Sequence, residues 1–356
     1  MFNFGSYRLK IILGSACNLH CKYCEQNSNI CKLPEVISSN LLHYLKWING
    51  FNERTRIQFF GGEPLLYLDK IKQLVQFIEK ENLNNFALDI PTNGKLLTEE
   101  IIDYCNKHNI VLCLSWEGKN TKLDRGYDVI EDKKDLIFKI KNLAFSSVWT
   151  KNSLPFDALS DVQNILNDYR IQTGLNYRIN ANSLFMCDLS GNNSLNIYDL
   201  NILTEQYKKI FRVYKEYMNN HSQEYYENNR LIIEYVQYLI STIRKELQNP
   251  TKNAWCDSIV DTLNLDLDGN IYKCPLLLNE PIGNVITDSN RVLLQNYAYS
   301  ELNIMNRREN MCKDCAAHVI CRGGCKEVSN KNIESNCKLW KGLFEIIYNE
   351  IISISS

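Results

Sequence analysis

The chain has 356 residues and is 45% hydrophobic, enough to bury a full core and to form one large domain plus a smaller one. Its 40 basic and 41 acidic residues leave a net charge of -1, so no surplus of charge points to nucleic acid or to an anionic membrane. The sequence has no apolar run of about 18 residues and no charged-then-apolar start, so a cytoplasmic protein with no membrane or nucleic-acid partner is expected. The short basic clusters Lys133-Lys134 and Arg307-Arg308 read as solvated faces.

Up to about residue 185, β-rich runs alternate with amphipathic helical stretches, the pattern of βα units around a parallel sheet. Predicted strands are Arg8 to Leu13, Arg56 to Phe60, Phe86 to Ile90, Ile110 to Ser115, Leu143 to Thr150 and Asn176 to Asn180. Predicted helices are Val36 to Asn49, Leu68 to Lys80, Glu99 to His108, Glu131 to Lys141 and Asp157 to Arg170. This α/β order suggests a partial (β/α)6 barrel of the TIM type. Ligands of such barrels sit at the C-terminal strand ends.

The first strand runs into Cys17-Asn18-Leu19-His20-Cys21-Lys22-Tyr23-Cys24, three cysteines at CxxxCxxC spacing. A four-iron four-sulfur cluster normally takes four thiolates, so a loop offering three leaves one iron to bind something else. The second strand runs into Phe59-Phe60-Gly61-Gly62-Glu63-Pro64, where paired glycines let backbone approach a ligand and Glu63 offers an acceptor to an ammonium. The third ends at Pro91-Thr92-Asn93-Gly94 and the fourth at Ser115-Trp116-Glu117-Gly118.

With the cysteine loop and the Gly-Gly-Glu turn together, the sequence resembles the radical S-adenosylmethionine (radical SAM) enzymes. The resemblance implies that Cys17, Cys21 and Cys24 hold a cluster whose open iron chelates S-adenosyl-L-methionine. It also implies that Gly61, Gly62 and Glu63 hold the cofactor's amino group and that Tyr23 lies along its adenine. Ser115 resembles the ribose contact of the family, and Arg125 an arginine that meets the cofactor carboxylate. The alternatives are an Asn-Gly turn for Asn93 and a surface ion pair for Arg125.

Residues 197 to 248 read as two long helices broken near Asn219-Asn220-His221, with Tyr225, Tyr226, Tyr235 and Tyr238 as packing residues. Asn249-Pro250 closes the second, because proline forces its predecessor out of the helical region. The expected domains are therefore 1–196, a barrel; 197–250, a helical bridge; and 251–356, a small cysteine-rich domain.

Fourteen cysteines without an export signal argue for metal clusters over a disulfide framework. Cys31, Cys105, Cys113 and Cys187 stand apart and read as ordinary thiols. After residue 250 the pattern is Cx12Gx4C, from Cys256 through Gly269 to Cys274, then Cx2Cx5Cx3C, from Cys312 through Cys315 and Cys321 to Cys325, and finally Cys337. Leu263 to Cys274 alternates around Asp268-Gly269, a hairpin signal. This C-terminal pattern resembles the SPASM extension, which implies two auxiliary iron-sulfur clusters and thus three 4Fe-4S clusters in all. By that resemblance Cys312, Cys315, Cys321 and Cys337 hold the outer cluster and Cys256, Cys274 and Cys325 the inner one. Asp257, Asp261 or Cys187 could supply a fourth ligand to the inner cluster, and an open position there is favoured. Zinc is the alternative occupant, since it also takes four thiolates. The segment 251–356 is expected to loosen first when clusters are lost.

What the resemblance implies for function is an oxidoreductase that generates a 5'-deoxyadenosyl radical and matures a ribosomally made peptide by a thioether or carbon-carbon cross-link. The alternatives are an anaerobic sulfatase maturase, against which Pro275 stands where that family has a carboxylate, and a non-catalytic iron-sulfur or zinc scaffold. Implied partners are a precursor peptide or protein and a reductant such as a flavodoxin or ferredoxin. With 16 residues ahead of Cys17, either the barrel reads the substrate directly or a separate leader-recognition protein does.

Overall fold

A computed structural model describes residues 8–24, 26, 31–50, 54–176, 195, 199–248, 262–276, 278–287, 312, 314–321 and 330–355. Its order opens with β1 (Arg8–Ile12), α1 (Ser39–Asn49), β2 (Thr55–Phe60), α2 (Leu68–Lys80), β3 (Phe86–Thr92), α3 (Glu99–Lys107), β4 (Val111–Ser115), α4 (Thr121–Arg125), α5 (Val129–Ile137), β5 (Leu143–Ser146) and α6 (Pro155–Thr173). It continues with α7 (Leu200–Asn220), α8 (Gln223–Asn228), α9 (Arg230–Gln248), β6 (Thr262–Leu265), β7 (Asn270–Tyr272), β8 (Gly283–Asn284), α10 (His318–Cys321) and α11 (Asn330–Ser355). The α/β sheet is mixed, with strand order β5-β4-β3-β2-β1-β6-β7-β8.

α1 and α3 begin where side chains satisfy their first N–H groups. Ser38 accepts from the Leu41 N–H and Thr98 from the Ile101 N–H, while Glu99 and Glu100 sit in the first turn of α3, where the helix dipole favours negative charge. α6 starts on Pro155 and stops at Gly174, whose φ of 68° is left-handed. The sheet is dense with apolar residues: Leu9, Ile11, Ile57, Phe59, Ile90, Leu112 and Leu114 are all inaccessible to solvent. Full burial of such strands is what a parallel sheet covered on both faces requires.

Two expectations change. The sixth parallel strand among the described residues is β6, which pairs with β1 through Arg8↔Thr262 to Ile11↔Leu265 rather than following β5. The strand predicted at Asn176 to Asn180 lies almost wholly outside the described residues. The 197–248 segment contains three helices, not two, because Ser222 caps a short α8 after His221 turns left-handed at φ 47°. The hairpin predicted around Asp268-Gly269 forms: Gly269 takes φ 80°, and buried Asp266 accepts from the N–H groups of Asp268 and Asn270 at 2.9 Å each.

Contacts divide the chain into two compact units. One comprises Met1–Ser115, Val129–Ala144 and Cys256–Ile304; the other comprises Trp116–Asp128, Phe145–Trp255 and Met305–Ser356. No division falls at 196, and the expected 251–356 domain is shared between the units because β6 pairs with β1. In the second unit α7 packs against α6, α9 and α11, with the hydroxyls of Tyr207 and Tyr235 meeting at 3.0 Å inside. Tyr235 is thus a packing residue, as predicted.

Within the first unit, Asp89 on β3 is 1% exposed and receives Arg56 Nε at 2.9 Å, an Arg56 terminal nitrogen at 3.1 Å and Gln58 Nε2 at 2.7 Å. Asp89→Ala leaves Arg56 able to rehydrate, since its side chain is 36% exposed, so the cost should be about 2 kcal/mol rather than that of a fully buried pair. Chemical denaturation of the variant checks this; an unchanged midpoint would show that the pair contributes nothing.

Candidate active site

The loop after β1 and the turn after β2 meet backbone to backbone. Gly62 N donates to the Gly14 carbonyl at 3.1 Å, and Glu63 N donates to the Ala16 carbonyl at 2.9 Å. A Cβ on Gly62 would stand 2.3 Å from the Ala16 carbonyl oxygen and 2.5 Å from that of Ser15, so only glycine permits the approach. From the other side the Tyr67 hydroxyl accepts the Ala16 N–H at 2.9 Å. The cysteine loop is thereby seated on the Gly-Gly-Glu turn.

On that loop Cys17, Cys21 and Cys24 are all half-buried, buried Leu19 anchors the stretch between, and Cys24 N donates to the Cys21 carbonyl at 3.0 Å. Leu19 N donates to Cys17 Sγ at 3.5 Å. Burial pushes the Cys17 thiol above its ordinary value, against the pull of the Leu19 N–H; the charges of Glu63 and Cys24 push it further. A metal must therefore displace a proton held more tightly than usual. Three half-buried thiols on one loop are the donor set that one face of an iron-sulfur cluster takes. Among the described residues no three His, Cys, Asp or Glu side chains converge as a single-ion site would need.

Glu63 is 1% exposed and is spent on the protein itself. Its Oε1 accepts from Leu65 N at 3.0 Å and Thr92 Oγ1 at 2.7 Å, and its Oε2 accepts from Asn93 N at 2.8 Å. The third strand end is thus tied to the second. Asn93 does form the Asn-Gly turn anticipated for it, with its Oδ1 accepting Lys95 N at 2.9 Å, but its Nδ2 also reaches Asn18 Oδ1 at 2.8 Å. Sequence spacing gave no sign of that link across 75 residues.

Ser115 ends β4, half-buried, and Tyr23 lies half-buried in the turn between Cys21 and Cys24. Arg125, expected to meet a cofactor carboxylate, forks onto buried Glu117, with Nε at 2.6 Å from Oε2 and a terminal nitrogen on Oε1. Thr121 Oγ1 at 2.7 Å and Val148 N at 3.2 Å also donate to that carboxylate. A bidentate charge-assisted pair of this kind holds both partners firmly.

The hairpin bearing Cys274 is docked on the segment that follows the cysteine loop. Gln26 Nε2 donates to the Pro275 carbonyl at 3.3 Å, Ser38 N donates to the Leu267 carbonyl at 2.9 Å, and the Cys31 thiol lies 2.9 Å from Asn279 Oδ1. Cys31 and Cys17 also share the lining of a cavity of about 380 Å³, together with Tyr67 and Lys70. Cys31 is thus set apart from Cys105 and Cys113, which are buried with their thiols pushed up to about 12 by desolvation.

Cys315 N donates to the Cys312 carbonyl at 3.2 Å in a tight turn, and Cys321 ends α10, its N donating to the Ala317 carbonyl at 2.9 Å. Cys337 lies on α11, and all four are half-buried. Cys187, Cys256, Asp257, Asp261 and Cys325 lie outside the described residues.

Two outcomes follow from this geometry. Gly62→Ala should prevent the cysteine loop from seating, so that the purified protein binds markedly less iron and sulfide than the parent by chemical analysis. Native alkylation at pH 8 mapped by mass spectrometry should leave Cys105 and Cys113 unmodified while Cys31 reacts, because a thiol titrating near 12 is almost wholly protonated there.

Residues 11–135 match the profile of the Radical SAM superfamily. Over 97% of its length the chain is 23% identical to the radical SAM cyclopropyl synthase TigE of Paramaledivibacter caminithermalis, of which it covers 73%. It is 24% identical to a cysteine-type anaerobic sulfatase-maturating enzyme of Clostridium perfringens, covering 96% of each chain. Among solved structures, native anSMEcpe with bound AdoMet superimposes with a TM-score of 0.68 at 20% identity, over 98% of this chain and 99% of that one. Streptococcus suis SuiB bound to precursor peptide SuiA gives 0.58 at 17% identity, over 91% of this chain and 72% of that one. The stretch that joins the cysteine loop to the Gly-Gly-Glu turn therefore lies within a segment, residues 11–135, that matches the Radical SAM superfamily.

Proposed function

We propose that this protein is a radical S-adenosylmethionine maturase that oxidatively modifies or cross-links a ribosomally made peptide through a thioether or carbon-carbon bond. The observation that carries this reading is the Cys17–Cys24 loop seated on the Gly61-Gly62-Glu63 turn at adjoining strand ends, inside the residues that match the superfamily. When bound, a reduced 4Fe-4S cluster with S-adenosylmethionine supplies a 5'-deoxyadenosyl radical able to take hydrogen from an unactivated carbon.

The chain's own part is positional. Cys17, Cys21 and Cys24 would present three thiolates to the cluster, and the glycine backbone, Ser115 and Tyr23 would hold the cofactor's amino group, ribose and adenine. Glu63 acts by fixing the end of β3, since its carboxylate already holds Leu65, Thr92 and Asn93. Arg125 acts through its grip on Glu117.

Cys312, Cys315, Cys321 and Cys337 hold an outer auxiliary cluster in this reading, and Cys256, Cys274 and Cys325 an inner one whose fourth position is left for a substrate thiolate. The Gln26 contact to Pro275 supports an inner site close to the cysteine loop. A peptide substrate is supported by the likeness to SuiB, which was solved with its precursor peptide. A flavodoxin or ferredoxin is the class of reductant required.

Sulfatase maturation is the second reading, favoured by the match along 96% of each chain. Pro275 directly after Cys274 weighs against it: the buried ring has no group to accept a proton, and its carbonyl is taken by Gln26. A non-catalytic scaffold, iron-sulfur or zinc, is the reading from a different class.

Anaerobic co-expression with candidate short peptides, read by mass spectrometry, should show a peptide lighter by two hydrogens. The reduced enzyme should release 5'-deoxyadenosine, and replacing Cys17, Cys21 and Cys24 by alanine should abolish that release while the auxiliary iron stays. Conversion of a sulfatase-derived cysteine to an aldehyde would install the second reading, and zinc without sulfide the scaffold.

A further inference from the structure

Resting on the reading of Cys17, Cys21 and Cys24 as cluster ligands, we propose that Asn93 is a positioning residue that donates its side-chain amide to the Cys17 sulfur and raises the reduction potential of that cluster. Asn93 is 7% exposed and is held from three sides. Its N–H goes to Glu63 Oε2 at 2.8 Å, and its Oδ1 is turned back to the Lys95 N–H at 2.9 Å. With the amide oxygen so fixed, the NH2 group points towards the cysteine loop. A carboxamide nitrogen carries two hydrogens. One serves Asn18 Oδ1 at 2.8 Å, and the nitrogen lies 4.0 Å from Cys17 Sγ. Cys17 thus faces two N–H donors, the other being Leu19 N at 3.5 Å.

Donors aimed at a ligating sulfur stabilise the more negative, reduced cluster and raise its potential. The buried Glu63 carboxylate acts in the opposite sense, because a fixed negative charge in a low-dielectric site disfavours an added electron. The Asn93 backbone is bonded to that carboxylate while its side chain reaches the sulfur, so one residue both ties down the charge and offsets it. Asn93 itself moves neither proton nor electron. The electron comes from a flavodoxin- or ferredoxin-class reductant, or from dithionite in the test.

The test is a stepwise potentiometric titration of the anaerobically reconstituted full chain followed by electron paramagnetic resonance. The signal that changes on adding S-adenosylmethionine identifies the Cys17 cluster among the others. Asn93→Ala and Asn93→Asp remove the donor, and the aspartate keeps an oxygen for Lys95. Both should titrate at lower potential than the parent at equal iron content, while Asn18→Ala, which removes only the competing acceptor, should titrate at or above it. Donor-less variants that load fully and titrate with the parent overturn the proposal. Should those variants fail to load, pulsed resonance of the parent protein labelled with side-chain 15N-asparagine decides: a 15N coupling on the reduced cluster supports the donor, and its absence overturns it. A protein with no cofactor-responsive iron-sulfur signal would instead remove the cluster reading, and this proposal with it.

Discussion

The contact between the Gly61-Gly62 backbone and the Gly14–Ala16 backbone is the constraint on which the rest of the site depends. Adjacent strands lie only about 4.8 Å apart, so loops leaving the same end of β1 and β2 must share the space above the sheet. Without Cβ atoms they do so by direct amide-to-carbonyl bonds. The approach buries Glu63, and a buried carboxylate must find donors. It finds them in Leu65 on its own turn and in Thr92 and Asn93 at the end of β3. One close approach therefore fixes three strand ends, and the cysteine loop inherits their rigidity.

The same solvation rule shapes the second unit. Glu117 is as deeply buried as Glu63, and it is satisfied by the Arg125 fork, Thr121 Oγ1 and Val148 N. A guanidinium paired in that way is an internal clamp. The sequence offered Arg125 as a cation at a plausible distance along the chain, but which anion it meets depends on the chain turning back through α4 towards Glu117, which spacing does not encode.

That contrast describes how much was legible in the sequence. Motifs made of neighbouring residues were readable: the CxxxCxxC loop, the Gly-Gly-Glu turn, the Asp268-Gly269 hairpin, and α2, whose ends at Leu68 and Lys80 coincide with those expected from its apolar period. α6 exceeds its expected span because Pro155 opens it and Gly174 closes it, signals that the apolar period alone passes over. Contacts between distant residues were not readable. Asn93 to Asn18, Gln26 to Pro275 and Cys31 to Asn279 are each chosen by the folded arrangement of strand ends, and a polar side chain in a loop carries no mark of the partner it will find.

The pairing of β6 with β1 has the largest effect on how the C-terminal part is understood. Bringing Thr262 to the sheet closes a very long loop from Ile12, at a chain-entropy cost of roughly 5 kcal/mol. Against it stand the buried side chains of Leu265, Leu267, Ile271 and Tyr272, each contributing about 1.5 to 3 kcal/mol. Burial exceeds the closure term, so sheet pairing and packing contribute to holding this hairpin in place. The described turns at residues 312 and 314–321 differ: Ala317 is the only buried side chain among them. So little apolar surface cannot offset the ordering of that stretch, and thiolate ligation would have to supply the difference there. Any dependence on clusters, expected at first of the whole 251–356 segment, would thus rest on residues 312 and 314–321, while Cys274 follows a hairpin paired with the sheet that also carries the cysteine loop.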